Sequence, residues 1–378
     1  MKILVVSVID LEKSVPQRPH HFIRYLAKKH DVTVLCINDT WKNVDSKKYH
    51  LKENVYLKGV NIIYITEKNH SPIYQELFVH FLLKRDKLGL YDVIYNYNTL
   101  ISGRYIAKLL KIPMVYDIAD DLPEMIANSP QIPKALRSIG RFLGMHLVKK
   151  TIASSIMVDA TSTVFKDQFS IASNKFSLIP NGVNTNIFCP MDASEVLLSR
   201  FSINKEDYVL GYVGVLREWV DLTPVYITLT KIPGLKLLIV GEEGEMTKNQ
   251  NLVQEMGLSD RVVFTGAVPY EEVPQYLSLC DACLIPFRQN LISQNAIPLK
   301  LFEYMACNKP VISSSIIGVK SIAGDNILYA DTSKEYEEII NNLIHNVVKT
   351  KSMRDFVVAN YDWENLAKQL EQRLEMVK

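Results

Sequence analysis

The sequence predicts an α/β protein of two doubly wound domains, each a parallel sheet covered by helices. Three observations carry that expectation. Apolar, β-branched runs recur along the chain, several of them followed by a helix-period stretch. Near-continuous apolar strands alternating with helices belong to a parallel sheet buried on both faces. The alternation runs through twice, on either side of the turn sequence Pro180-Asn181-Gly182. Finally, 378 residues exceed one ordinary core and suit two domains of roughly 100–200 residues each.

In the first half the candidate strands are KILVVSV (2–8), DVTVLCI (31–37), NIIYI (61–65), DVIYNY (92–97), PMVYDI (113–118) and SIMVDA (155–160). A short FSLI (176–179) runs into the Pro-Asn-Gly turn. Helical patterns RPHHFIRYLAKKH (18–30) and LISGRYIAKLLK (100–111) lie between them. The second half repeats the theme with YVLGYVG, LKLLIVG, RVVFTG, DACLIPF, PVISSS and NILYA. Helices are expected there near 220–231, 245–256, 270–279, 298–306 and 333–350, with a domain boundary near 185–200. The chain closes on WENLAKQLEQRLEMV (363–377), a well-patterned amphipathic helix. Doubly wound sheets bind ligands beyond the carboxyl ends of their strands, so two such domains facing each other share a cleft there.

Composition narrows the function classes. No apolar run approaches the roughly 20 residues of a membrane helix, and MKILVVSVID reads as a first strand rather than a signal peptide. Five widely spaced cysteines fit free thiols in a reducing compartment. The lone Cys280-x-x-Cys283 pair has no second pair or nearby histidine pair, so no metal site is expected. Net charge is +2, unevenly spread: residues 1–190 hold 25 basic and 16 acidic side chains, the remainder 18 and 25. A basic front half points to an anionic partner, a phosphorylated substrate or an anionic membrane surface. The basic residues flanking apolar ones in FVHFLLKRDK and RFLGMHLVKK fit the second; core packing with solvated basic faces is the alternative. No aromatic-basic stripe indicates nucleic acid, and no G-x-G-x-x-G with a downstream acid indicates a dinucleotide.

The chemistry concentrates in PLKLFEYMACNKPVI, Pro298 to Ile312. Proline favours the first helical position, so a helix is expected to start at Pro298 and Leu299, at the carboxyl edge of the second sheet. Its free N–H groups and dipole attract an anion, phosphate above all. Lys300 adds a full charge in the first turn. Glu303, one turn on, is an acceptor suited to paired sugar hydroxyls. Together they suit the diphosphate and ribose of a nucleoside diphosphate; a simple i,i+3 salt bridge is the alternative. Asn308 is the expected C-cap.

The motifs IPNGVNTNIF, GYVGVL, LLIVGEEGE, VVFTGAVPYEEVPQYLSLCDACLIPF and PLKLFEYMACNKPVI, in that order and spacing, resemble the nucleotide-sugar half of GT-B glycosyltransferases. QRPHHFIRYLAK and VYDIADDLPE in the front half resemble the family 4-type enzymes of bacterial polysaccharide and cell-envelope synthesis. The resemblance implies an acceptor-binding Rossmann-like domain over 1–190 and a nucleotide-sugar-binding one over 191–355. Residues 356–378 would then form a helix packing back on the first domain. It implies transfer from a UDP- or GDP-sugar to a hydroxyl acceptor, a glycan or lipid-linked saccharide, in the cytoplasm, with retention and without a required metal or cofactor.

Residue by residue, Glu303 takes the place of the second Glu of the family's E-x7-E motif, and the first falls on Asn295, which cannot act as a carboxylate. The basic pair after the G-x-L strand is half kept, as Arg217 followed by Leu222. Arg288 in the PFRQN loop is a substitute cation. Gly241 lets backbone approach a ligand near the nucleobase. In the front half Arg18 is expected on phosphate and His21 (or His20) on acceptor or donor. Asp120 or Asp121 is expected to orient or deprotonate the acceptor hydroxyl, with helix capping as the alternative for Asp121. A nucleotide-sugar epimerase and a non-catalytic nucleotide-binding scaffold remain the rival functions.

Overall fold

The computed structural model describes residues 1–14, 16–38, 56–68, 70–129, 132–290, 293–347 and 352–378. It divides into unit 1, Met1–Pro180 with Trp363–Lys378, and unit 2, Asn181–Asp362.

Unit 1 is built on a seven-stranded parallel sheet in the order β3-β2-β1-β4-β5-β6-β7. Its strands are β1 (Lys2–Ser7), β2 (Asp31–Cys36), β3 (Asn61–Tyr64), β4 (Val93–Tyr97), β5 (Met114–Ile118), β6 (Met157–Ala160) and β7 (Phe176–Leu178). The connecting helices are α1 (Arg18–Leu26), α2 (Pro72–Leu77), α3 (Val79–Leu82), α4 (Ser102–Leu110), α5 (Leu122–Ala127), α6 (Arg137–Ser154) and α7 (Val164–Gln168). Strands β4 and β5 are buried at every position, because helices cover both faces of a parallel sheet. That burial is why they read as nearly continuous apolar runs, broken only by Asn96 and Asp117, rather than alternating ones. The order reverses between β1 and β4, whose register sets Ile3 beside Val93.

Unit 2 carries a six-stranded parallel sheet, β10-β9-β8-β11-β12-β13. Its strands are β8 (Tyr208–Val213), β9 (Leu235–Val240), β10 (Val262–Phe264), β11 (Ala282–Ile285), β12 (Val311–Ser313) and β13 (Leu328–Tyr329). Its helices are α8 (Glu195–Arg200), α9 (Thr223–Lys231), α10 (Met246–Glu255), α11 (Val273–Ser278), α12 (Leu299–Ala306), α13 (Ile317–Ala323), α14 (Ser333–Ile344) and α15 (Arg354–Tyr361). Helix α14 starts in a Thr332/Glu335 capping box and ends before the expected residue 350, and 348–350 lie outside the described residues. The strand order reverses between β8 and β11, where doubly wound sheets hold their ligands.

The last helix, α16 (Trp363–Met376), returns to unit 1 and packs on α1. Trp363 stacks on His21, ring centroids 4.8 Å apart and planes 11° apart. Glu371 accepts from His30 at 2.8 Å and Lys29 at 3.0 Å. Arg373 pairs with the buried Asp159, whose carboxyl burial raises to about 7 against the pull of that guanidinium. An apolar face and three polar contacts thus fix the helix that the amphipathic pattern foretold.

Candidate functional site

Helix α12 opens at the carboxyl end of β11 in unit 2. Pro298, expected inside the first turn, is instead the N-cap, in extended backbone (φ −72°, ψ 141°). The asparagine side chain of the Pro-Asn-Gly turn supports that entry: Asn181 Nδ2 donates to the carbonyl of Ile297 at 3.0 Å. No side chain caps α12 and its first turn holds no acid. Its leading N–H groups therefore keep their affinity for an anion. At the other end Cys307 is the C-cap and Asn308 takes the left-handed position beyond it (φ 56°). There Lys309 N–H donates to Tyr304 O and Asn308 N–H to Met305 O, both at 3.0 Å, a Schellman closure. The expected C-cap, Asn308, thus lies one residue beyond the observed one, Cys307.

Lys300 does not pair with Glu303 as a surface salt bridge. Its Nζ lies 3.9 Å from the centroid of the Tyr212 ring, at the end of β8. It also lies against Gly214 (φ 120°), where a Cβ would stand 3.1 Å from Nζ. The amine thus sits at the reversal of the sheet, in space that a glycine leaves open. Burial lowers its pKa to about 7, with the Glu303 charge acting the other way. Glu303 is almost fully buried. Burial raises it to about 7, countered by a 2.9 Å hydrogen bond from the Tyr270 hydroxyl and by Lys300. Two ionisable side chains shifted by burial in opposite directions, one turn apart on α12, mark a candidate functional site.

Gly241 ends β9 with φ 142°, and a Cβ there would meet the carbonyl oxygen of Gly214 at 2.6 Å. Only glycine lets these two strand ends nest. Beyond it opens a recess of about 540 Å³ lined by Gly241, Gly244, Thr247, Gln250, Phe264 and Gly266. Arg217 is exposed on the loop after β8, and its charge acts on the Tyr212 phenol, opposing the upward push of burial. Arg288 is exposed after β11, with Nε 3.7 Å from Asp221. Asn295 and Leu299 are half-buried, Asn295 in the loop that leads into α12 and Leu299 at its first residue. Leu222, where the family's second basic residue would stand, is buried in the core of unit 2.

In unit 1 the structure corrects two expectations. Arg18 does not offer its charge to a phosphate. It is 2 % exposed and forks onto Asp117, Nε at 2.7 Å and Nη2 at 2.9 Å, while Nη1 donates to Pro180 O at 2.7 Å. Burial pulls its pKa down, but Asp117 and Tyr95 outweigh this and hold it above its ordinary value. His21, expected on acceptor or donor, is 5 % exposed. It is buried between Tyr56 and Trp363, and desolvation, then His20 and Arg24, keep it neutral.

Asp121 accepts from Glu124 N–H at 3.3 Å as the N-cap of α5, and from Gln168 at 2.8 Å. Asp120, at the end of β5, takes a hydrogen bond from Asn98 Nδ2 at 2.9 Å and keeps solvent contact. The protein atoms crowded around both carboxyls raise their pKa values. His30, Glu371 and Glu375 gather three donor atoms within 4.8 Å. Lys29 and His30 already engage Glu371, so the cluster is ionic packing.

Tyr212, Tyr270, Asn181 and Asn98 escaped the sequence reading. The two tyrosines carry no polar signal, Asn181 reads only as part of the Pro-Asn-Gly turn, and Asn98 stands in the run Tyr97-Asn98-Thr99 at a strand end, where polar composition gives a signal.

Residues 195–362 match the family described as Glycosyl transferases group 1. A teichuronic acid biosynthesis glycosyltransferase of Bacillus subtilis, itself described as putative, is 24% identical over 205 residues, 54% of this chain and 50% of that protein. The chain thus spans about half the length of that relative. Among solved structures, the sucrose-phosphate synthase of Thermosynechococcus elongatus superposes with a TM-score of 0.74 at 18% identity, covering 99% and 98% of the two chains. The HepE protein of Anabaena, in complex with UDP-glucose, gives 0.72 at 18%, covering both chains fully. These likenesses establish the two-domain GT-B fold.

Proposed function

We propose that this protein, whose residues 195–362 match the family described as Glycosyl transferases group 1, moves a sugar from a nucleoside-diphosphate sugar to a hydroxyl acceptor, a glycan or lipid-linked saccharide. The observation that carries the reading is the placement of Lys300 in the first turn of α12, which no side chain caps, with Glu303 one turn on, beside the reversal point of the sheet.

The diphosphate is assigned to the α12 N-terminus and Lys300, with Arg217 and Arg288 as further cations. Negative charge grows on the leaving diphosphate as the glycosidic bond breaks, and pre-placed positive groups stabilise it most in the transition state. The ribose is assigned to Glu303, held by Tyr270, and the base to the recess beyond Gly241. Asn295 and Leu299 border the sugar end. Asp120 is assigned to the acceptor hydroxyl, which it orients or deprotonates; a carboxyl raised by crowding is the better base. Retention at the anomeric carbon and work in polysaccharide or cell-envelope synthesis in the cytoplasm belong to the same proposal. They rest on the family resemblance alone.

Glu303→Gln tests the ribose assignment. A hydrogen bond to a charged acceptor contributes about 1.5–3 kcal/mol, so KM for the ribonucleotide donor should rise about 10–100-fold with kcat nearly held. Preference for the ribose donor over its 2′-deoxy analogue should collapse in the variant. Unchanged discrimination in Glu303→Gln would remove Glu303 from the ribose. An epimerase would instead convert the donor sugar with no acceptor present, and a scaffold would bind donor without turnover.

A further inference from the structure

Helix α6 is inside out. Its buried positions are small or slender: Gly140, Gly144, Val148, Thr151 and Ile152. A Cβ on Gly144 would stand 3.0 Å from Pro123 Cα of α5, so the close approach of the two helices needs that glycine. The bulky apolar residues point the other way. Leu136, which caps the helix, and Ile139, Phe142 and Leu143 are 48 %, 55 %, 72 % and 52 % exposed, and the i, i+3, i+6, i+7 spacing sets them on one stripe. Met125 of α5, also exposed at 52 %, adds a further apolar side chain. A soluble helix has no folding reason to turn this stripe outward.

The flanks choose the occupant. Lys134 precedes the stripe, and Lys149 and Lys150 follow it, all exposed. Residues 132–154 contain five basic side chains and no acidic one. The one acid that reaches this helix in a described ion pair, Glu124, is taken by Arg141. A protein partner of ordinary composition would need a matching acidic rim around an apolar groove. A bilayer with anionic headgroups supplies both layers at once.

We propose that the outward face of α6 docks on an anionic lipid surface, with Ile139, Phe142 and Leu143 entering the headgroup boundary and Lys134, Lys149 and Lys150 meeting the headgroup phosphates. The contact goes beyond sugar transfer and does not rest on it. Vesicle binding reads α6, whereas nucleotide binding reads Lys300, so either account fails without the other.

The test is co-sedimentation of the full chain with vesicles of equal parts phosphatidylglycerol and phosphatidylcholine, against pure phosphatidylcholine. The wild type should bind the anionic vesicles at least about tenfold more strongly. Ile139→Ser with Phe142→Ser, and separately Lys149→Glu with Lys150→Glu, should each lose about tenfold or more. Both variants change exposed side chains only and should keep the melting temperature of the parent. Equal binding to both vesicles, no binding to either, or variants that bind like the wild type would overturn the proposal. So would a wild-type dimer that Ile139→Ser with Phe142→Ser converts to a monomer, since a second copy would then be the occupant.

Discussion

Lys300→Met is expected to lower transfer about 10²–10³-fold while raising the melting temperature. The loss follows from removing the amine that the fold lays over Tyr212 at the mouth of α12, which a bound diphosphate would hold in its charged form. The gain follows from proton linkage. Burial lowers the folded pKa of Lys300 to about 7, below its ordinary value of 10.5. Between pH 7 and pH 10.5 the unfolded chain therefore holds a proton that the folded chain has shed. Folding stability rises with pH across that window, and at pH 7 the amine is a cost that methionine removes. Methionine keeps the apolar stem over Tyr212 and so avoids a cavity. Donor kinetics and a thermal melt at pH 7 check both halves. A variant with full transfer, or one that melts well below the wild type, would contradict the assignment of Lys300 as a strained ligand group.

Asp117→Ala is expected to destabilise unit 1 by about 3–5 kcal/mol, because breaking a buried ion pair strands the partner charge. Asp117 is fully buried and takes both arms of the Arg18 fork together with the Tyr95 hydroxyl. Without it Arg18 retains a single carbonyl partner, Pro180. Arg18→Met combined with Asp117→Leu removes both charges and should recover most of the loss. Urea unfolding of the two variants and the wild type gives the comparison. A mild effect in the single variant, or a double variant no better than the single, would show that the pair is not what holds this corner of the sheet.

The strands and the function-bearing helix were legible because their signals are local. A strand buried on both faces is apolar nearly throughout, and β1, β4, β5, β8 and β9 say so in five or six letters each, with Asn96 and Asp117 as buried polar exceptions in β4 and β5. Lys300 and Glu303 stood out because two charges interrupt an apolar helix on one face. Arg18 and His21 misled for the opposite reason. Their partners, Asp117 and Trp363, lie 99 and 342 positions away, so spacing shows two polar residues at a helix start and nothing of what satisfies them. Tyr212 and Tyr270 fail in the same way, since their service to Lys300 and Glu303 is tertiary. In α6 the apolar residues lie on the solvent side, and glycines line the side that packs on α5. No periodicity tells which of its two faces turns inward.

The central claim is that unit 2 holds a diphosphate at Lys300, and calorimetric titration of UDP and GDP at pH 8, in buffers of different ionisation enthalpy, tests it most directly. At that pH Lys300 is largely neutral in the free protein, while a bound diphosphate favours its charged form. One of the two nucleotides should bind with net uptake of a proton, and its affinity should fall toward tenfold for each further unit of pH. The absence of binding by both, or binding with no proton taken up, would contradict the account.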